Sequence, residues 1–195
     1  MTSTSSVEFN GQVVVISGAA TGIGKASAQL IAARGATVIA LDFNAAALTD
    51  LSKELSLAAN QTHVCDISSQ DQIDKAISAI LKDHGKIDAL INTAGIVGPS
   101  NTVVEDVNWP DFEKVLQVNL YGAIWLTQAV IPSMKEKKYG RIVHLASIAG
   151  KEGNPGLSPY NTSKAGMIGF VKGVAKEVAP HGVVINALAP AVIST

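Results

Sequence analysis

A three-layer α/β fold, doubly wound around one parallel sheet, is predicted by three features of this sequence. Short β-branched runs alternate with longer segments of helical period, the order that builds a parallel sheet covered on both faces. The runs are mostly apolar throughout, as strands buried on both sides must be. At 195 residues the chain is within the size of one folding unit with a single substantial core, and no repeat, linker or low-complexity stretch divides it.

In chain order the strand candidates are residues 12–17, 37–41, 62–65, 87–92, 141–146 and 183–188. The helical patterns between them are 24–34, 45–57, 69–84, 109–137 and 159–178. Local punctuation agrees: Pro110 suits a first helical turn, Asp71 favours the positive end of its helix, and Gly35 and Gly85 follow helix ends. The longest irregular stretches, 95–108 and 150–158, are of the kind that border sites.

Composition narrows the function classes. Hydrophobic residues make up 47% and charged residues 16%, which sets the chain apart from disordered sequences. With 15 basic and 16 acidic residues and no one-sign stretch, nothing attracts a nucleic-acid backbone. The cluster Lys135, Lys137, Lys138 and Arg141 falls where a helix ends and complements its dipole. No window approaches the roughly 18 unbroken apolar residues of a membrane span, and residues 1–6 lack the apolar stretch of a secretory signal. Cys65 is the single cysteine, so no internal disulfide forms; a cytoplasmic, reducing compartment is expected, with Cys65 in a buried strand. The histidines, at 63, 84, 144 and 181, show no ligand spacing, and no metal is expected.

In open parallel sheets ligands bind beyond the carboxyl ends of the strands, where the loops and the following helix N-termini are free. The first strand ends in Ser17-Gly18-Ala19-Ala20-Thr21-Gly22-Ile23-Gly24 and leads straight into a helix. Gly18, Gly22 and Gly24 let the backbone turn and approach a pyrophosphate at the helix's positive end; without that strand and helix the same glycines would mark an ordinary tight turn. Asp42 follows about 20 residues on, where a carboxylate accepts from ribose hydroxyls and repels a 2′-phosphate, predicting NAD; the alternative is a turn aspartate before Asn44. Asp66 closes the third strand and Asn92-Thr93-Ala94-Gly95 the fourth, each also consistent with turn chemistry.

The fifth strand leads to Ser147, and the next helix carries Tyr160 and Lys164 one turn apart on one face. A phenol, with its reference pKa of about 10, needs about 3 units of help to ionise at neutral pH, roughly 4 kcal/mol. A neighbouring ammonium supplies part of that and makes Tyr160 a general base. By spacing alone such a pair is usually a surface contact; Ser147 and the glycine loop argue for chemistry. Asn119 sits inside an apolar helix, where Asn is a poor helix former, either for an interhelical hydrogen bond or to aim a carbonyl or water site at the Tyr160 helix.

Together these residues resemble the short-chain dehydrogenase/reductase family, over nearly the whole chain. Residues 17–24 are similar to Thr-Gly-x-x-x-Gly-x-Gly with Ser17 for Thr, residues 92–95 to Asn-Asn-Ala-Gly, and residues 160–164 to Tyr-x-x-x-Lys. The resemblance implies a Rossmann-type sheet of strand order 3-2-1-4-5-6 and a catalytic tetrad of Asn119, Ser147, Tyr160 and Lys164. It implies that NAD is held by Ser17, Gly18, Thr21, Gly22, Ile23, Gly24, Asp42, Asp66, Ile67, Asn92, Ala94, Gly95, Tyr160, Lys164, Pro190, Ile193 and Thr195. Ser147 would hold the substrate oxygen, Tyr160 exchange its proton, Lys164 lower the tyrosine pKa and bind the nicotinamide ribose, and Asn119 position a water. Thr93 and Ala191 depart mildly from the family pattern. Members continue for about 50 to 60 residues past the position of Thr195, with a helical substrate cover and a seventh strand, so the sheet of this chain is expected to expose an edge.

The implied substrate is a secondary alcohol or ketone. The stretch 148–155 resembles members acting on sugars or deoxy sugar acids, and the chain as a whole also resembles NADPH-using 3-oxoacyl carrier-protein reductases. A nicotinamide-binding module without catalysis is the reading from another class. Members form dimers or tetramers through two long helices, here 109–137 and 159–178, with Ile124, Trp125, Phe170 and Val171 as apolar contacts or as internal core.

Overall fold

The computed structural model describes residues 8–193. Six strands form one parallel sheet: β1 Val13–Ser17, β2 Thr37–Asp42, β3 Thr62–Val64, β4 Ala89–Asn92, β5 Gly140–Leu145 and β6 Val183–Leu188. Their order is β3-β2-β1-β4-β5-β6, as expected, with the chain reversing direction across the sheet between β1 and β4. Among the described residues β3 and β6 are its edges, and β6 leaves Val184 and Leu188 exposed.

Period-two alternation sorts the core into two layers. Val13, Val15, Ile39 and Leu41 face one side, Val14, Ile16, Val38 and Ala40 the other. The second face is covered by helices α1 Gly22–Ala33 and α2 Ala45–Leu55, through Ala28, Leu48 and Leu51. The first carries the larger core, from α3 Gln70–His84, α5 Gly122–Glu136 and α7 Ser158–Val178. α3 illustrates the local logic. Ile73, Ala76, Ile77 and Ile80 form its buried stripe, the Ser69 hydroxyl accepts from Gln72 N–H at 3.4 Å, and Gly85 closes it at φ +72°.

Two segments depart from expectation. The single helix expected over 109–137 divides into α4 Trp109–Leu116, a π-turn Gln117–Tyr121 and α5. In the π-turn the Gly122 N–H reaches back five residues to the Gln117 carbonyl, centring the distortion on Asn119. The stretch 150–158, expected to be irregular, begins inside a one-turn helix, α6 Ala149–Glu152. Cys65 is buried as expected but lies one residue beyond β3, its N–H bonded to the Asp42 carbonyl at 2.9 Å. No helix of the described residues is long and apolar enough to cross a membrane.

Candidate active site

At the carboxyl ends of β1, β4 and β5 lies a cleft of about 670 Å³. Its floor is backbone. Gly18, at φ +68°, passes so close to the β4 end that a Cβ there would sit 2.8 Å from the N and Cα of Ala94. Gly24 packs the start of α1 against the Gly18 carbonyl with equally little room. Thr21 occupies the α1 N-cap without turning its side chain onto the first turn, so the N–H groups there remain directed at the cleft. A pyrophosphate fits such a cradle, because the tightly packed glycines bring the first-turn N–H donors of α1 to the cleft.

Behind the floor runs a buried polar chain. Ser17, Asn92 and His144 stand side by side on β1, β4 and β5. Ser17 Oγ donates to Asn92 Oδ1 at 2.5 Å, Asn92 Nδ2 lies 3.1 Å from His144 Nδ1, and His144 Nε2 lies 2.8 Å from Thr127 Oγ1, which donates to the Ala123 carbonyl at 2.7 Å. Read in one direction, each group donates to the next, which assigns His144 as the neutral Nε2–H tautomer. Burial, reinforced by the Lys164 charge, pushes His144 down to about 4, in keeping with that state. Thr93 ties the two loops from the front, its hydroxyl donating to the Ser17 carbonyl at 2.7 Å. Ser17 and Asn92 therefore lie one layer beneath the cleft surface.

Asp42 ends β2 at the cleft wall, only 6% exposed. Its Oδ2 accepts from Ala20 N–H at 2.9 Å and its Oδ1 from Asn44 N–H at 3.0 Å, while Asn44 caps α2. The carboxylate therefore braces the turn before α2, and it stands at the cleft wall with lone pairs left over. Asp66 also turns back on its own loop, accepting from the Ser68 N–H and hydroxyl at 2.9 and 2.7 Å, and it lines the cleft together with Ile67. Phe43, 75% exposed, forms part of the same rim.

At the other end α7 brings Tyr160 and Lys164 to the cleft that Ser147 and Pro190 also line. Lys164 is 4% exposed; its Nζ donates to the Leu145 carbonyl at 2.6 Å and lies 5.5 Å from the centre of the Tyr160 ring. Burial pulls its ammonium down to about 8, so at pH 7 it remains mostly charged. Ser147 Oγ accepts from Ala149 N–H at 3.2 Å, which fixes the hydroxyl at the start of α6. Gly150 lets α6 dock on α7 where a Cβ would be 2.6 Å from the Lys164 carbonyl carbon.

Asn119 is fully buried and sits behind the β4 loop. Its Oδ1 accepts from Ile96 N–H and its Nδ2 donates to the Ile96 carbonyl, both at 2.8 Å; Nδ2 also donates to Ser163 Oγ at 3.0 Å, and Ser163 donates to the Tyr160 carbonyl at 2.8 Å. The side chain therefore makes an interhelical bond, one of the two roles its position suggested. Gly95 threads between Asn119 and Lys164: a Cβ there would be 3.1 Å from Asn119 Oδ1 and 3.5 Å from Lys164 Nζ.

Of the remaining candidates, Gly22, Ile23, Ala94 and Ile193 line the cleft, and Thr195 lies outside the described residues. Sequence reasoning did not single out Phe43, Lys114, Gln117 or Val118, which also line it. The last three share a helix face, and Gln117 donates to the Ser68 carbonyl at 3.3 Å; only the folding of α4 over the β3 loop reveals them. Nor did it find His144, whose role depends on strand register.

A family model described as short chain dehydrogenase matches residues 12–195. The 2-dehydro-3-deoxy-L-rhamnonate dehydrogenase (NAD(+)) of Sphingomonas sp. (strain SKA58) is 42% identical over 189 residues, covering 94% of this chain and 72% of that protein. The 3-oxoacyl-(acyl-carrier-protein) reductase of Thermotoga maritima is 39% identical over 191 residues, covering 97% and 77%. Among solved structures, NAD+-bound xylitol dehydrogenase superposes with a TM-score of 0.87 at 34% identity, covering 94% of this chain and 71% of that one. Levodione reductase superposes at 0.88 with 32% identity, covering 94% and 72%.

Proposed function

Since the chain belongs to the short-chain dehydrogenase family, oxidoreductases acting on CH–OH and C=O groups, we propose that it works with NAD(H) on a secondary alcohol or its ketone, of the sugar or deoxy sugar acid class. The observation that carries this reading is the meeting of Tyr160, Lys164 and Ser147 in one cleft with a glycine cradle at its far end. When bound, the nicotinamide supplies the hydride acceptor or donor.

The chain's own residues divide the remaining work. Ser147, with its hydroxyl already oriented, holds the substrate oxygen. Tyr160 removes the alcohol proton in oxidation and returns it in reduction. Lys164 favours the phenolate electrostatically, and its ammonium has two N–H donors left beyond the Leu145 carbonyl with which to hold the nicotinamide ribose. Asn119 positions a water that links Lys164 to solvent, the two residues lying on either side of Gly95. Gly18, Thr21, Gly22, Ile23 and Gly24 hold the pyrophosphate, Asp42 the adenosine ribose, Asp66 and Ile67 the adenine, and Pro190 and Ile193 the nicotinamide side. Ser17 and Asn92 support the cradle from beneath, and Thr195 takes the carboxamide.

The NAD preference and the sugar-acid class draw support from Asp42 and from the relative at 42% identity. A reductase of 3-oxoacyl thioesters using NADPH is the second reading, favoured by the relative at 39%. Initial rates with NADH and NADPH, against a panel of keto sugar acids and a 3-oxoacyl thioester, separate the two. Turnover of no panel member, with NADH still bound, would favour a cofactor-binding module instead. We further propose one dinucleotide-binding catalytic domain in the cytoplasm, assembled as a homodimer or homotetramer. Half-buried Ile124 on α5 supports that assembly, together with the part of Trp125 and Phe170 not packed against the core, to which Val171 belongs.

A further inference from the structure

Ser147, two residues before α6, is joined to Tyr160 through α6, a loop over residues 153–157, and the first turn of α7. The loop has no regular structure. Gly153 and Gly156 hold φ of +74° and +73°, and between them Asn154 precedes Pro155, a position biased towards extended backbone with no neighbouring strand to satisfy it. The Asn161 side chain takes that part. Its Oδ1 accepts from Asn154 N–H at 3.2 Å, and its Nδ2 donates to the Asn154 carbonyl at 2.8 Å. A single carboxamide thus reads both backbone groups of one residue, as a partner strand would.

We propose that Asn161 is a positioning residue: by clamping Asn154 onto the first turn of α7, its carboxamide fixes the loop that joins Ser147 to Tyr160. Three anchors hold that loop. At its beginning Gly150 seats α6 on the Lys164 backbone; in its middle Asn161 grips Asn154; towards its end the Gly156 carbonyl accepts from Thr102 N–H at 3.3 Å, bringing in the loop after β4. The first and third are backbone contacts that only a small residue permits. Asn161 is the one side-chain anchor among them, and its neighbour in the chain is Tyr160. Releasing it lets the two hydroxyls that face the substrate drift relative to each other, while the glycine cradle at the far end stays in place. The kinetic part of this inference rests on the function proposed above; the clamp itself does not.

Amide hydrogen exchange with and without NADH reads the clamp directly. In Asn161→Ala the segment 150–158 is expected to exchange about tenfold faster than in wild type, with Asn161→Asp changing in the same direction because it keeps the acceptor and loses the donor. Segment 12–25 and NADH affinity are expected to stay unchanged. On any panel substrate the wild type turns over, KM is expected to rise about tenfold, more than kcat falls. Unchanged exchange over 150–158 in a folded variant overturns the clamp, and faster exchange with unchanged KM and kcat overturns its positioning role. Should the alanine variant not fold, the isosteric aspartate variant carries both measurements. Faster exchange in a protein whose wild type turns nothing over leaves the clamp standing and removes the proposed activity instead.

Discussion

At the β1 end the cleft rests on a close-packed turn, in which Gly18 and Gly24 leave no room for a Cβ and Gly22 holds a left-handed φ of +51°. At the β5 end it rests on side chains: Ser147, whose hydroxyl accepts from Ala149 N–H, Lys164, held by the Leu145 carbonyl of β5, and Tyr160, whose ring lies beside the Lys164 ammonium on the same helix. The first end selects for shape and can be built by one local loop. The second must set charge and proton position, which takes groups from β5, α6, α7 and the π-turn acting together.

If that division is right, the two ends fail differently. The largest effect is expected at the chemical end: Tyr160→Phe should lower turnover by about 10²- to 10⁴-fold or more while NADH affinity, read by fluorescence titration, stays within about twofold. At the cradle, Gly18→Ala combines a left-handed φ with contact against Ala94, so NADH binding should be lost and stability should fall by about 3 kcal/mol in urea unfolding. Equal loss of NADH affinity in both variants would dissolve the contrast.

Next comes the buried chain that connects the two ends. The folded His144 pKa of about 4 lies below the ordinary 6.5, so between those values the unfolded state binds more protons. Stability should therefore be fully present above about pH 6.5 and decline as pH falls towards 4, by at most about 3 kcal/mol from this residue. His63, also lowered by burial, adds in the same direction. Urea unfolding of wild type and His144→Asn at pH 7 and 4.5 isolates the contribution; an identical pH dependence in both would remove His144 as its source. The smallest effect is specificity: Asp42→Asn should shift the NADH-to-NADPH preference by about tenfold, about 1.4 kcal/mol, measured from the two values of kcat/KM.

Much of this was legible in the sequence, for reasons that differ by residue. Gly18, Gly22 and Asp42 could be located because a strand, a loop and a helix follow one another directly, so local order sets their geometry. Tyr160 and Lys164 were legible as a pair because helical spacing alone puts them on one face. The break of the helix at residues 117–121 was not, since one wide turn is too short to show in the apolar period on either side; the bonds from Asn119 to Ile96 and Ser163 are tertiary contacts that accompany it. Asn161 was likewise invisible, because its partner is defined by where the loop lands.

The sequence by itself determined the order of strands and helices, the glycine cradle and the Tyr160–Lys164 face, since periodicity and steric freedom act over a few neighbouring residues. Only the tertiary structure decided how Ser17, Asn92, His144 and Thr127 join into one chain, that Lys164 is buried against the Leu145 carbonyl, and that Asn161 grips Asn154. Those contacts depend on strand register, on helix docking and on exclusion of water, and each of these is settled only when distant segments meet.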